Sequence, residues 1–315
     1  MDRLYEAVAA RGPVCAGLDT DPAYIPPAER RRAASDAEAV LSFNRAIVDA
    51  AADRTACFKV QIAYYEALGG AGLEAYAKTL AFIRSRGCLV IADIKRGDIA
   101  DTARRYAKAH FEGDFEADFV TLSPYMGMDS LEPWLSWADT KGKGAFALVR
   151  TSNPGARDFE YLELREDRAD TGGGPDGPSQ ARRLYHAVGD KLAELAASRM
   201  GRHGYGALGA VIGCTGREEA RAIRERYGGL FFLIPGYGAQ GGGAEDAALL
   251  LKEGNGGVVN ASRSILRAWT AKAGEAGEEA DNAFAGEAAR EAVIAMGDSI
   301  RAAAAKTAGS RGAGL

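Results

Sequence analysis

Eight short apolar segments alternate with longer helix-like segments along most of this 315-residue chain. Each segment has the length and apolar character of a β-strand, and strands separated by helices form parallel βαβ units. The predicted strands cover residues 14–18, 57–62, 88–94, 119–122, 145–149, 208–212, 230–234 and 257–259. Eight strands close a (β/α)8 TIM barrel, and an open doubly wound sheet is the alternative architecture.

Polar residues lie at the C-terminal ends of most of these predicted strands, or directly after them. Asp19, Ser152 and Arg263, for example, follow the first, fifth and eighth strands. The active sites of α/β barrels are built at this face. The pattern therefore favours an α/β fold of the (β/α)8 TIM-barrel type over the open sheet.

We assign residues 1–304 to a single barrel domain, because α/β barrels of this size commonly form one unit. Residues 156–178 are rich in charge and glycine. They predict an insertion after strand 5, which is either an exposed surface loop or a mobile lid. Residues 305–315 lose the helical periodicity, so we expect them to form a frayed C-terminal tail.

Composition narrows the class of function. The net charge of −4 gives no support for a nucleic-acid partner or an anionic membrane surface. The sequence has neither an apolar run of 18 residues nor a signal-peptide pattern at its start, so we expect a cytoplasmic protein without membrane contact. It also lacks CxxC, HxxxH, GxSxG and Walker motifs, and we therefore predict neither a metal site nor a serine-triad hydrolase.

Three successive predicted strands carry charged residues near their C-terminal ends. Asp93 and Lys95 stand two positions apart in the third strand, which predicts that their side chains share one face. Lys59 lies in the second strand and Asp19 closes the first. Charges of alternating sign offset each other's desolvation and suit a site that handles a developing anion. The alternative is a buried ion pair that fixes strand register, or a strand end that has already reached solvent.

The glycine-rich segment 235–243 follows the seventh predicted strand and precedes a helix that begins near Ala244. Such a loop can turn backbone N–H groups towards an anion, but it can equally be a flexible turn. Arg263, at the end of the eighth strand, can hold phosphate oxygens in a bidentate arrangement. Barrels commonly bind phosphate between strands seven and eight, so the two features together predict a phosphate site.

Small polar residues follow the fifth predicted strand, where Thr151, Ser152 and Asn153 precede Pro154. Residues of this kind can form hydrogen bonds with a heterocycle, and they can equally well make a turn or cap a helix. The sequence leaves these two interpretations open.

These motifs together resemble the orotidine 5′-phosphate decarboxylase family, over a span from Gly17 to Ile265. The family's Asp-x-Lys-x-x-Asp motif is matched by Asp93, Lys95 and Asp98. The segments 58–61 and 235–242 are most similar to the longer bacterial subgroup. The 156–178 insertion is longer than in compact family members.

The resemblance implies an enzyme without cofactor or metal that converts orotidine 5′-monophosphate to UMP and CO2. Lys95 would protonate C6 of the pyrimidine, and Asp93 would lie beside the substrate carboxylate. The other implied contacts are Lys59 and Asp19 with the ribose hydroxyls, Ser152 with the pyrimidine edge, and Pro235, Gly238, Gln240 and Arg263 with the 5′-phosphate end. Ser262 stands where many relatives carry glycine, which would leave only its backbone amide as a phosphate donor.

The resemblance also implies a homodimer with shared active sites, because Asp98 and Thr102 would reach the active site of a second subunit. Two alternatives remain. A keto-sugar-phosphate decarboxylase or hexulose-phosphate synthase of the same superfamily would bind Mg²⁺, and the charge of Lys59 disfavours a dication. A catalytically inactive phosphate-binding barrel, acting as a metabolite sensor, would have lost a charged member of the network, and none is lost here.

Overall fold

The computed structural model describes residues 1–164, 182–273 and 279–312. The strands are β1 (Val14–Gly17), β2 (Cys57–Gln61), β3 (Leu89–Arg96), β4 (Phe119–Leu122), β5 (Gly144–Arg150), β6 (Glu163–Leu164), β7 (Arg182–Arg183), β8 (Leu208–Ile212), β9 (Phe232–Ile234) and β10 (Gly257–Ala261). The α-helices are α1 (Asp2–Arg11), α2 (Pro27–Arg32), α3 (Asp36–Ala51), α4 (Ala63–Glu66), α5 (Gly69–Ser85), α6 (Ala100–Phe111), α7 (Glu132–Lys141), α8 (Leu184–Ala197), α9 (Arg217–Arg226), α10 (Ala244–Leu249), α11 (Arg263–Leu266), α12 (Ala268–Ala273) and α13 (Asn282–Gly312).

Eight of the described strands close into a parallel barrel in the order β1-β10-β9-β8-β5-β4-β3-β2. The predicted TIM barrel is therefore confirmed, and each predicted strand corresponds to one barrel strand. The predicted bounds of β4 and β8 agree with the structure, whereas β3 and β10 each extend two residues beyond their predicted ends. A polar residue begins each extension, Lys95 in β3 and Asn260 in β10, so the apolar pattern alone ended these strands too early.

Side chains of each barrel strand alternate between two apolar layers, as the pleat of a strand requires. Cys57 on β2 and Ile91 on β3 face the barrel interior. Phe58 on β2 instead packs in the outer layer, between the barrel and its helices. Helix α1 closes the N-terminal end of the barrel by adding Leu4 and Val8 to the interior cluster. The opposite, C-terminal end carries the polar strand termini.

The insertion after strand 5 is confirmed between β5 and α8, where β6 and β7 form an antiparallel ribbon. Of the predicted 156–178 segment, residues 165–178 lie outside the described residues. Helix α13 continues through Gly312, so the described part of the predicted tail, residues 305–312, is helical. Both the fraying of residues 305–315 and the assignment of residues 1–304 to one domain stay predictions. Among the described residues, no helix has both the length and the apolar character needed to cross a bilayer.

His110 on α6 is buried beside two aromatic rings and predicts an acid-sensitive step in stability. Its ring centroid lies 5.9 Å from that of Phe115 and 6.5 Å from that of Trp134. Burial lowers the pKa of His110 to about 4 from an ordinary value of 6.5, and the charge of Arg96 acts in the same direction. The unfolded chain therefore binds a proton at higher pH than the folded chain does, so stability falls as pH decreases through 6.5.

We expect this difference in the pKa of His110 to lower the free energy of unfolding by about 2 kcal/mol between pH 7 and pH 5. The replacement His110→Phe removes the titration, so urea unfolding of this variant should show a smaller loss over the same interval. A loss equal to that of the original chain would contradict the assignment. The interval lies above the titration of ordinary carboxylates, which keeps their contribution small.

Candidate active site

A cavity of about 400 Å³ opens at the C-terminal end of the barrel. Apolar side chains of three barrel strands, Leu148, Val211 and Leu233, form part of its lining. Its polar lining includes Asp19, Gln61, Tyr64, Lys59, Asp93, Lys95, Thr121, Thr151, Ser152, Asn153, Tyr237, Gln240, Asn260, Ser262 and Arg263. The cavity combines apolar walls with many convergent polar groups, and such convergent polar groups orient small molecules in binding sites.

The structure brings the four predicted charges into one hydrogen-bonded chain. Lys59 Nζ donates to Asp19 Oδ1 at 3.0 Å and to Asp93 Oδ2 at 2.8 Å. Lys95 Nζ donates to the other carboxylate oxygen, Asp93 Oδ1, at 2.7 Å. The order Asp19–Lys59–Asp93–Lys95 alternates in sign, so each buried charge has an opposite charge as its neighbour.

Burial and pairing act in opposite directions on the two innermost groups. Burial would lower the pKa of Lys59, but the charges of Asp19 and Asp93 raise it well above its ordinary value. Burial would raise the pKa of Asp93, but the charges of Lys59 and Lys95 hold it well below its usual range. Both groups therefore remain charged at neutral pH although each is only about a twentieth exposed, at 4% and 5%.

The backbone is irregular at Lys95, the last member of this row of hydrogen-bonded charges. Its φ of 45° is uncommon for a residue with a Cβ atom, and the pairing of β3 with β4 shifts register between Ala92 and Arg96. Simple alternation predicted that Asp93 and Lys95 share a face. Their side chains do meet in the cavity, but a bulge in the backbone, rather than a regular pleat, sets the direction of the lysine side chain. Lys95 is 46% exposed at its side chain, whereas Asp93 is 7% exposed, so the lysine lies between the buried charges and the open cavity.

Thr121 at the C-terminal end of β4 holds this bulge and was not predicted from the sequence. Its hydroxyl oxygen accepts the backbone N–H groups of Ile94 and Lys95, both at 3.0 Å. The hydroxyl proton goes to Asp93 Oδ1 at 2.7 Å. Thr121 therefore fixes the strained backbone and the carboxylate together, although it lies 28 residues from Asp93 in sequence.

The predicted phosphate residues Pro235, Gln240 and Arg263 line the same cavity. Ser152, predicted to contact the base, also lines it, and its hydroxyl donates to Gln240 Oε1. This contact joins the loop after β5 to the loop after β9 across the cavity mouth. One side-chain hydrogen bond therefore links the residue predicted to contact the base with a residue predicted to contact the phosphate.

Gly238 and Ser262 make contacts that the sequence did not predict. The amide of Gly238 donates to the Gly242 carbonyl oxygen at 2.9 Å, and a φ of 73° shows that Gly238 serves the turn itself. The Ser262 side chain, which was not predicted to donate to the phosphate, donates to Asp19 Oδ2 at 2.8 Å, and Ser262 lines the cavity. Ser262 therefore extends the charged chain to β10.

Asp98 and Thr102 do not line the cavity as the described residues form it. Asp98 is half-buried just after β3, and its carboxylate accepts the Ile99 N–H at 2.8 Å. Thr102 is exposed on the first turn of α6. Both residues therefore keep some exposure to solvent outside this lining.

Comparison with known proteins agrees with this geometry. The family model "Orotidine 5′-phosphate decarboxylase / HUMPS family" matches residues 12–280. The chain belongs to this family. An orotidine 5′-phosphate decarboxylase from Clostridium perfringens (strain SM101 / Type A) is 52% identical over 95% of this chain and 97% of its own length. One from Clostridium novyi (strain NT) is 54% identical over 85% of this chain and 89% of its own.

A solved structure of the family supports the same conclusion at the level of the fold. The Leishmania donovani OMP decarboxylase is 28% identical, with a TM-score of 0.72, and the match covers 96% of this chain and 98% of that one. Membership of the family thus rests on sequence, fold and the order of the charged residues around the barrel.

The donor set of the site favours an organic anion over a metal ion. Asp19 and Asp93 are the carboxylates in the cavity lining that the described residues form, and the Lys59 ammonium donates a hydrogen bond to each. Within the ranges that the structure describes, no group of three or more His, Cys, Asp or Glu side chains is arranged to hold a metal ion. The lysines instead place positive charge in the cavity, which suits an anionic ligand.

Proposed function

We propose that this chain decarboxylates orotidine 5′-monophosphate to UMP and CO2 in pyrimidine biosynthesis, with Lys95 as the proton donor to C6. The observation that carries the proposal is the contact between Lys95 and Asp93 inside a cavity that also contains Arg263. Family membership supports the reaction, and the charged chain supports the roles of these residues. A cytoplasmic location is part of the same proposal.

The chemistry requires a positioned cation. When the bond between C6 and the carboxylate breaks, the electron pair stays on C6 in an orbital that the pyrimidine π system cannot delocalise. The Lys95 ammonium is the charge that stabilises this pair, and its proton passes from Nζ to C6 as CO2 leaves. Asp93 holds Nζ in place. Its negative charge also repels the carboxylate of the bound substrate, a repulsion that is absent in the product.

A direct test follows orotidine 5′-monophosphate by its ultraviolet absorbance in metal-free buffer, with and without a chelator. We expect full turnover in both conditions. No loss of orotidine 5′-monophosphate, together with Mg²⁺-dependent activity on a keto-sugar phosphate, would support the keto-sugar-phosphate branch of the family instead. UMP binding without turnover would identify a sensor rather than an enzyme.

Arg263 is expected to provide much of the affinity for the substrate phosphate. The replacement Arg263→Ala should weaken UMP binding about 100-fold, because a charge-assisted bidentate contact is lost, and should affect uridine binding little. Isothermal titration with both ligands measures the difference. Arg221→Ala, an exposed arginine on α9, is the matched control. Equal UMP affinity in the two variants would remove Arg263 from the phosphate site.

We also propose that the protein is a homodimer in which Asp98 and Thr102 complete the partner's active site. Apolar side chains near them support this. Ile99 is 48% exposed, and Tyr125 and Met126, in the loop after β4, are 89% and 48% exposed. The two segments are neighbours, since the Ser123 N–H donates to the Arg96 carbonyl oxygen at 2.8 Å. An apolar edge of this kind is typical of the centre of a subunit interface.

A further inference from the structure

A second cavity lies at the N-terminal end of the barrel, opposite the candidate active site. Its volume is about 730 Å³, and helices α1 and α13 line it together with segments that precede β1, β8 and β10. We call it the N-terminal cavity. Its aromatic and charged lining residues are Tyr5, His203, Tyr205, Lys252, Glu253 and Arg301. A cavity of this size can hold a small molecule such as a nucleotide.

The hydroxyl group of Tyr205 is available to a ligand in the N-terminal cavity. Tyr205 is only 5% exposed, and its ring packs against Phe231 with a centroid distance of 5.3 Å. The hydroxyl lies beside Gly256, where a Cβ atom would overlap it. Among the described residues, none forms a hydrogen bond with this hydroxyl. The hydroxyl is not fully enclosed and Tyr205 lines the cavity, so a ligand there can reach it.

Three aromatic rings form a row that starts at Tyr205. Tyr5 is the middle ring, with centroid distances of 5.9 Å to Tyr205 and 4.3 Å to His203. The His203 ring is inclined by only 15° to that of Tyr5, and 30% of the His203 side chain is exposed. A planar base can therefore continue the row by stacking on His203.

The charged lining of the N-terminal cavity favours an anion. Lys252 and Arg301 are cationic, whereas Glu253 is the single acidic residue of the lining that the described chain forms. Arg301 pairs with Asp298 at 2.5 Å, and its guanidinium lies against Gly12, where a Cβ atom would collide with Nη1. Lys252 is exposed and forms no ion pair with any described residue. Its ammonium group is therefore available to a phosphate.

The turn that carries Lys252 is strained and held in place. Glu253 and Gly254 have φ values of 52° and 79°, and a positive φ is costly for a residue with a Cβ atom. Lys252 and Asn255 close the turn with two backbone hydrogen bonds, of 2.8 and 3.0 Å. Asn255 Nδ2 donates to the Tyr5 carbonyl oxygen at 3.1 Å, which fixes the turn beside the row of rings. Strained backbone of this kind is concentrated at functional sites.

We propose that the N-terminal cavity binds a nucleoside phosphate, with its base stacked on His203 and its phosphate at Lys252 and the Tyr205 hydroxyl. The row of rings provides a surface for the base, and the lysine provides the charge that a phosphate needs. The hydroxyl adds a hydrogen-bond donor close to the turn that carries the lysine. This site lies at the other end of the barrel from the catalytic cavity, so its ligand is independent of the proposed reaction.

Isothermal titration of the full chain with ATP tests this site, because ATP combines a large base with a high negative charge. Lys252→Ala should weaken ATP binding about tenfold or more, since a charge-assisted contact is lost. Tyr205→Phe should weaken it about fivefold while urea unfolding stays unchanged, because the hydroxyl has no partner in the described part of the chain. Lys191→Ala, an exposed lysine on α8 outside this cavity, is the matched control and should bind ATP like the original chain.

Variants at the two ends of the barrel separate the two cavities. Arg263→Ala should leave the affinity for ATP unchanged, and Lys252→Ala should leave the turnover of orotidine 5′-monophosphate unchanged. A loss of ATP affinity in Arg263→Ala would place ATP in the catalytic cavity and would overturn the inference.

Two further outcomes would also overturn it. The first is an absence of ATP binding to the original chain, or an ATP affinity that is the same in Lys252→Ala, Tyr205→Phe and the original chain. The second is inorganic triphosphate that binds as tightly as ATP, because the row of rings would then contribute nothing. Failure of the original chain to bind UMP would concern only the proposed function.

Discussion

Replacing Lys95 by alanine is expected to reduce the rate of decarboxylation about 10⁴-fold or more, because the carbanion loses both its counter-charge and its proton donor. Single-turnover measurement of CO2 release at saturating substrate isolates the chemical step. UMP binding should remain measurable, since Arg263 and Gln240 at the phosphate end of the cavity are untouched. The loss should therefore appear in kcat rather than in KM.

Lys78→Ala provides the matched control, because this exposed lysine on α5 pairs with Glu74 at 2.6 Å and lies outside the cavity lining of the described chain. The control should retain full turnover and the original UMP affinity. Turnover of Lys95→Ala within about tenfold of the original chain would refute its role as the proton donor.

Much of the barrel could be predicted because each strand repeats one simple physical pattern. In β2, Cys57 faces the barrel interior and Phe58 faces the helices, so both are apolar and the strand appears as a continuous apolar run. Lys59 interrupts that run, which is why it indicated a site. The bulge at Lys95 could not be predicted, because it depends on hydrogen bonds that the Ile94 and Lys95 N–H groups donate to Thr121 on another strand.

The site contacts that the sequence did not predict come from small neutral side chains, far along the chain from the carboxylates that they contact. Thr121 and Ser262 are ordinary strand-end residues until folding brings them against Asp93 and Asp19. Charges inside apolar strands are visible in a sequence because burial makes them costly, whereas polar groups that complete a network carry no such signal.

The shared-site proposal predicts that two inactive variants restore each other's activity. Asp98→Ala and Lys95→Ala homodimers should each be nearly inactive, since each lacks one required group in both sites. Subunit exchange, by mild urea treatment and dialysis of the mixture, produces hybrid dimers. In each hybrid, one site combines the Lys95 of one subunit with the Asp98 of the other and is intact, so about a quarter of all sites should be active.

A mixture of Asp93→Ala and Lys95→Ala is the decisive control, because these two residues touch each other within one chain at 2.7 Å. Its hybrids carry one defect in each site, and no activity should return. Recovery in the first mixture and none in the second would require that Asp98, but not Asp93, crosses the subunit boundary. If neither mixture recovers although exchange is demonstrated by mass spectrometry, Asp98 belongs to its own subunit's site or to none, and the dimer is not required for catalysis.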